Sequence, residues 1–398
     1  MSGNWSRRAE PGHGRSSSGA RWSGRVRAAS AAVAVLAAVA AVVIILVQPG
    51  RTARPVAGRG SATPPGSQGP SSPSASSGAS PSTSPSSHPG RSRTPSSSPS
   101  PFGPPPPPVP ASSLAPARGA LFGAWAEPIG GDNSAAYESA VIRLEHEIGR
   151  NLAIDQLYVP WFHQMPLAVA NWDLSHGMVP MISWAGYYTS QIVSGRYDAL
   201  IRATARRLRS VHGPVMLRWF AEMDGGQYRY LVSSPGSFVR AWRHVYSIFA
   251  RAGATNVRWV WCPNAGSFSD GIAQRYYPGG RYVSWICGDG YNWAPKRPGA
   301  VWASVAAIFS SFYHWGLRTG KPLMIGEFGV LERRPGEKAA WFRQTDWQLR
   351  TMFPGIRAVV YFNSDHHGYD WRVTTSQSAL AGFRVFADDP YFLARPRL

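Results

Sequence analysis

From residue 118 onwards, short apolar runs alternate with stretches whose apolar residues recur every three to four positions. The runs are ALFGAW (120–125), AIDQLYV (153–159), MVPMISW (178–184), PVMLRWF (214–220), VRWVWC (257–262), YVSWIC (282–287), PLMIGEF (322–328) and RAVVYF (357–362). Their lengths and their β-branched and aromatic content predict buried strands. Between them, Tyr197, Leu200, Ile201, Leu208 and Val211 fall on one helical face. Phe238, Trp242, Val245 and Phe249 fall on another, after a cap-like Ser237 and before Gly253, which suits a helix stop. Strand–helix alternation predicts parallel strands with right-handed crossovers. Eight units with no GxGxxG after a strand predict an α/β fold of the (β/α)8 TIM-barrel type rather than a doubly wound sheet.

The preceding 117 residues have a different pattern. Ala28 to Val47 is uncharged throughout, long enough as a helix to span about 30 Å of hydrocarbon. Six arginines precede it (Arg7, Arg8, Arg15, Arg21, Arg25, Arg27) and Arg51, Arg54 and Arg59 follow, which predicts an N-terminus inside and a C-terminus outside. An uncleaved signal anchor is favoured over a cleaved signal peptide, because no small-x-small site follows Val47. Residues 61–117 hold 19 Ser and 17 Pro, a mixture with too little apolar surface to offset the entropy of ordering. The expected organisation is a basic cytoplasmic tail (1–27), a transmembrane segment (28–48), a disordered Ser/Pro-rich linker (49–117) and one folded domain (118–398). That places the domain outside the cell on a single-pass anchor, with a cleaved and secreted form as the alternative.

The chain carries 41 Lys+Arg against 21 Asp+Glu, a formal charge of +20. Half of that excess lies in the first 117 residues. The folded part has no block of basic residues interleaved with aromatics, and Arg202, Arg206, Arg207 and Arg209 fit the solvated face of a helix. Nucleic acid is therefore not an expected partner. Two cysteines, Cys262 and Cys287, fall on neighbouring predicted strands; buried thiols are favoured over a bridge, and no metal-type spacing is present.

In a TIM barrel, chemistry sits at the C-terminal ends of the strands. The fourth run leads into LRWFAEMDGG, with Glu222 at its tip, and the seventh into MIGEFGV, with Glu327 at its tip. Glycoside hydrolysis needs two carboxyl groups flanking one bond. The structural alternative for Glu222 is a pairing with Arg218, four residues earlier. Period-2 alternation puts Arg218, Phe220 and Glu222 on one face, Ile325 and Glu327 on another, and Trp285, Cys287, Asp289 and Tyr291 on a third. Tyr291 is placed to give a phenolic hydrogen bond to a carboxylate nucleophile. Asp289 suits a sugar hydroxyl or a loop start; Asn264, after the fifth strand, suits a hydroxyl or a turn cap. Trp125, Trp161, Trp184 and Trp293 lie at or beyond strand ends, where flat rings suit pyranose faces. His366 and His367 with Asp365 and Asp370 offer metal-ligand types without supporting spacing, so no metal site is expected.

Residues 119–390 resemble glycoside hydrolase family 26, whose members include β-mannanases, β-xylanases and mixed-linkage β-glucanases. The matching segments run in order: EIGRNLAIDQLYVPW (147–161), SGRYDALI (194–201), VMLRWFAEMDG (215–225), WVWCPN (259–264), YYPGGRYVSWICGDGYN (276–292) and KPLMIGEFGV (321–330). The resemblance implies that Glu222 is the acid/base, Glu327 the nucleophile, and Tyr291 the tyrosine beside it. It implies retaining endo-hydrolysis of a β-linked polysaccharide, β-mannan first and β-xylan or mixed-linkage β-glucan next; a monomer that needs no metal or organic cofactor is expected. The chain departs from the family pattern at Ala221, where a His is usual, at Gly226-Gln227-Tyr228, where a Trp is frequent, and at the end of strand eight, where Tyr361-Phe362-Asn363 lacks the usual Trp. A glycan-binding barrel without activity and a transglycosylase of exopolysaccharide assembly are the alternative readings.

Overall fold

Each of the eight apolar runs forms a strand, because its side chains have apolar neighbours on both sides, barrel interior and helix layer. The computed structural model describes residues 114–396. Among them the barrel strands are β1 (Ala120–Ala126), β2 (Ile154–Val159), β3 (Val179–Trp184), β4 (Val215–Trp219), β5 (Val257–Trp261), β6 (Trp285–Asn292), β7 (Leu323–Val330) and β8 (Ile356–Asn363). They pair in parallel in sequence order, and β8 closes on β1 from Leu121 opposite Ala358 to Ala126 opposite Asn363. This is the closed eight-stranded barrel that the alternation predicts. A two-residue strand near the C-terminus (Phe392–Leu393) adds to β1 at the barrel's N-terminal end.

The helices among the described residues are α1 (Ser134–Ile148), α2 (Leu167–Ser175), α3 (Thr189–Val193), α4 (Asp198–Arg209), α5 (Pro235–Arg251), α6 (Val305–Leu317), α7 (Glu337–Thr351) and α8 (Gln377–Ala387). Side-chain caps start several of them: Asn133 accepts from the Ala136 amide, and Ser304 and Ser376 cap α6 and α8 in the same way. For α5 the cap is Ser234, followed by Pro235 at the first helical position, so Ser237 lies inside the helix rather than at its start. Gly253 follows its end with φ of 73°, a left-handed conformation that stops a helix without a Cβ clash.

The core has two layers. Leu121, Ile154, Met181, Met216, Val260, Trp285, Met324 and Val360 fill the barrel. Phe122, Leu157, Ile182, Leu217, Trp259, Ile286, Ile325 and Tyr361 point outward and pack under the helices. Leu114 is also buried with the interior set, so packing extends at least four residues before the expected domain boundary at 118. The sixth strand differs most from its expected span. Tyr282 closes a short 3-10 turn, and the strand runs from Trp285 through GDGYN to Asn292. Gly290 allows this, since a Cβ there would lie 2.5 Å from the Ile308 side chain on α6. No helix among the described residues is long and apolar enough to cross a membrane. The basic tail, the expected membrane segment 28–48 and linker residues 49–113 lie outside the described residues.

Candidate active site

Glu327 sits on β7, a strand with every residue buried. An unpaired carboxylate there would be costly, and four side chains supply its partners. Tyr158 on β2 donates to Oε1 at 2.7 Å, and Gln156 donates to the same oxygen at 3.2 Å. Tyr291 on β6 donates to Oε2 at 2.5 Å. Arg218 on β4 forms an ion pair with Oε1. The Arg218 guanidinium also binds Asp289 at 2.7 Å and donates from Nε to Ser183 at 2.8 Å. Burial pushes the Glu327 carboxyl up, but Arg218 and the two tyrosine hydroxyls outweigh it and hold it below the usual carboxylate range. Burial beside this charge holds both phenols well above theirs, so both stay donors.

Glu222 is in the opposite condition. Gln227 donates to its side chain, Nε2 to Oε2 at 3.3 Å. Burial first, and the nearby Glu327 charge second, push its carboxyl up to about 8, with Arg218 opposing. One carboxyl group is thus kept ionised and the other protonated, although oxygens of Glu222, Asp289 and Glu327 all lie within 4.8 Å of one another. Three carboxyls that close are a constellation able to hold a cation; here Arg218, buried between Asp289 and Glu327, supplies positive charge. Asp289 is pushed up by its burial, again against Arg218.

The backbone places Glu222 unusually. Phe220 and Glu222 have φ of 49° and 53°, a left-handed region that side chains with a Cβ rarely adopt. Cross-strand bonds hold both: the Phe220 amide to the Trp184 carbonyl at 2.9 Å and the Glu222 amide to the Cys262 carbonyl at 2.8 Å. Strict alternation therefore fails after Trp219. Phe220 turns out into the helix layer against Phe238 and Tyr228 instead of sharing a face with Arg218. Alternation fails on β7 as well. Ile325 packs outward, whereas Glu327 faces the barrel, because the register with β8 shifts between Ile325 and Phe328. Gly326 sits at this irregularity; a Cβ there would lie 2.2 Å from Cys287 Sγ and 2.9 Å from Asp289 Oδ1. On β6 the alternation holds: Trp285 and Cys287 join the interior set, and Asp289 and Tyr291 reach Arg218 and Glu327. Arg218 does not pair with Glu222, so the structural alternative for that residue is not what the molecule adopts.

The cysteines depart from the favoured expectation. Cys262 and Cys287 form a disulfide, with Cα atoms 4.3 Å apart. The parallel pairing of β5 with β6 sets Trp261 opposite Ile286 and brings the two side chains together inside the barrel, under Asp289.

The remaining expected residues divide by position. Trp293 lies against Tyr291 and Trp371, with ring centroids 5.0 and 5.1 Å away, and Trp125 lies 4.9 Å from Tyr158. Both are next to the partners of Glu327. Trp161 and Trp184 are not: they stack on each other at 4.3 Å, each 1% exposed, in the outer layer. A sugar has no ring face to meet there, because Trp184 shares the outward parity of Ile182 on β3, and Trp161, just past β2, packs with it under the helices. Asn264 donates from its amide and Nδ2 to Asp224, both at 3.1 Å, which is the turn-capping option. Asp365 and Asp370 bind Arg372. Gln156, Tyr158, Ser183, Gln227, Asp224 and Trp371 were not among the expected site residues. The signal for two of them is visible in AIDQLYV, where Gln156 and Tyr158 share the parity of inward-facing Ile154. A cavity of about 260 Å³ opens beside Tyr158, lined also by Tyr137, Asp132 and His163.

Residues 186–347 match the model for glycosyl hydrolase family 26. The chain is 31% identical over 261 residues to Endoglucanase H of Acetivibrio thermocellus, across 62% of this chain and 29% of that protein. It therefore spans under a third of the curated relative it matches. Among solved structures, a mannanase of Bacillus subtilis is 16% identical with a TM-score of 0.52, covering 71% of this chain and 89% of its own. A modular endo-β-1,4-mannanase of Cellulomonas fimi is 16% identical with a TM-score of 0.56, covering 71% and 74%. At that identity the structural likeness carries the fold, while the sequence matches carry the relationship. Over these stretches the barrel of this chain is similar in sequence to glycosyl hydrolase family 26.

Proposed function

We propose that the protein is a retaining endo-β-glycosidase acting on a β-linked polysaccharide. One observation carries the reading: two carboxyl groups held close together, in opposite protonation states, at the mouth of a barrel. Their approach within 4.8 Å suits the short separation of retaining enzymes, about 5 Å, rather than the wider one, about 6.5–9.5 Å, at which inverting enzymes seat a water against the sugar. Glu327 attacks the anomeric carbon as the bond to the leaving oxygen breaks, and Glu222 gives its proton to that oxygen. Once Glu327 is bound as an ester its charge is gone, and with it one of the causes that raise Glu222. Glu222 is then a carboxylate able to take a proton from water, whose oxygen attacks the same carbon and frees Glu327. Tyr291, Tyr158, Gln156 and Arg218 orient the nucleophile; Trp293 and Trp125 flank the sugar.

The first polymer to test is β-glucan, with β-mannan next. Ala221 presents a methyl group where the family pattern has a His, and the 31%-identical relative is named an endoglucanase. In the cell we place the barrel outside the membrane, held by residues 28–48 and spaced from them by the Ser/Pro-rich linker. The test is release of reducing ends from β-glucan, β-mannan and β-xylan by the full chain, alongside Glu222→Ala and Glu327→Ala. Cleavage of one polymer that both variants abolish supports the reading. Retained binding without cleavage turns it into a glycan-binding barrel, and longer products turn it into a transglycosylase.

A further inference from the structure

Beyond Glu222 the rim of the barrel carries a row of aromatic rings that the two-carboxylate chemistry does not use. The loop after β4 runs from Glu222 through Gln227 and Tyr228 to Tyr230, which is 52% exposed. Tyr188, in the loop after β3, has its ring centroid 6.3 Å from that of Tyr230. Tyr187 follows 4.9 Å from Tyr188, and Phe162, 44% exposed, 5.1 Å from Tyr187. Backbone bonds fix the two loops together. The Thr189 amide donates to the Leu231 carbonyl at 2.9 Å, and each of these residues follows one of the paired tyrosines. From below, the buried Trp184–Trp161 stack continues into Tyr187, whose ring lies 6.4 Å from Trp161 at an interplanar angle of 8°.

We infer that Tyr230, Tyr188, Tyr187 and Phe162 form a track for the leaving-group side of the polysaccharide, beyond the sugar next to the cleaved bond. This rests on the glycosidase reading. The side follows from the acid: Glu222 must reach the leaving oxygen, and the track begins on its own loop, whose Gln227 binds its carboxyl. The occupant follows from the surface, since rigid rings with apolar faces and polar edges suit successive pyranose faces. The two tryptophans that strand-end position offered as platforms instead stiffen the platform above them.

The test uses the full chain with Tyr188→Ala, Tyr230→Ala and Tyr230→Trp. Two substrates are compared: a β-linked hexasaccharide of the cleaved polymer, and an aryl glycoside with sugars on the glycone side only. The alanine variants are expected to raise KM about tenfold on the hexasaccharide, leave the aryl glycoside within twofold, and shift the cleavage pattern toward its reducing end. Tyr230→Trp is expected to keep the hexasaccharide KM near that of the wild type. Equal loss on both substrates, or no change on either, overturns the track. If the wild-type chain hydrolyses nothing, the glycosidase reading falls, and retardation in gels of β-glucan and β-mannan still decides the track. Retardation that both alanine variants leave unchanged overturns it; retardation lost in both supports it as a binding surface; no wild-type retardation in either gel overturns it too.

Discussion

At the residue scale, Arg218 decides how the two glutamates divide their labour. It is the largest of the opposing influences that hold Glu327 ionised against its burial, and it also lowers Glu222. The signs follow. Glu327 must be a carboxylate to attack, so its pKa sets the acid limb of activity. Glu222 must be protonated to donate, so activity falls as pH rises through about 8. Arg218→Met removes a positive charge from both, and both limbs are expected to move to higher pH, with kcat down because the nucleophile also loses its orienting bond. A kcat/KM–pH profile checks this; a profile that keeps its shape and only drops would refute it. Glu222→Gln separates the acid from its neighbours. It is expected to slow polymer cleavage by about 10²–10⁴-fold. An aryl glycoside whose phenol leaves without protonation should form the glycosyl-enzyme at a nearly normal rate, read as a burst of phenol.

At the element scale, the barrel was legible because each strand repeats a simple pattern of apolar residues, and the site was legible where chemistry interrupts that pattern. Glu222 and Glu327 stand out as carboxylates at the tips of apolar runs. What was not legible is where the backbone leaves its period. Phe220 and Glu222 at positive φ, and the irregularity on β7 beside Gly326, each reverse the side on which a residue falls. Period-2 reasoning cannot anticipate a reversal made by cross-strand bonds between residues far apart in sequence. Trp161 and Trp184 show the same limit, since a strand end fixes height in the barrel but not direction. Gly326 gives the element-scale prediction. Gly326→Ala drives a methyl group into the Cys287 sulfur and the Asp289 carboxylate, both buried and held in place. Overpacking of this kind costs about 1–3 kcal/mol. Because Asp289 anchors Arg218, kcat is expected to fall well beyond the loss in folded fraction, measured by denaturation and kinetics on one sample. Stability lost with kcat per folded molecule unchanged would show that the bulge does not position the site.

At the scale of the whole molecule, buried titratable groups pull the pH of greatest stability in opposite directions. Asp155 on β2 and Asp173 on α2 are both buried, and both are held well above the ordinary range, first by burial. Their interaction lowers the first and raises the second, as expected of two carboxyls sharing a proton. Glu222 has the same sign, raised to about 8. For such groups the stability is full below the unfolded pKa, near 4, and is lost as pH rises through the folded pKa. Lys338 on α7 acts oppositely. It is fully buried, donates to the carbonyls of Trp371 at 3.1 Å and Arg372 at 2.6 Å, and burial lowers it to about 7. Its contribution is present above the unfolded pKa, near 10.5, and is lost as pH falls toward 7. The acids make alkaline conditions costly and the lysine makes acidic ones costly. Glu222→Gln removes the cost of keeping a catalytic proton on a buried carboxyl, roughly 3 kcal/mol at pH 7. The variant that loses activity is therefore expected to melt higher than the wild type at pH 8 and at nearly the same temperature at pH 4. Lys338→Met is expected to melt higher than the wild type at pH 5, with the difference shrinking by pH 9. Thermal melts across that range check both signs, and a Glu222→Gln gain as large at pH 4 as at pH 8 would mean that the raised carboxyl is not its source.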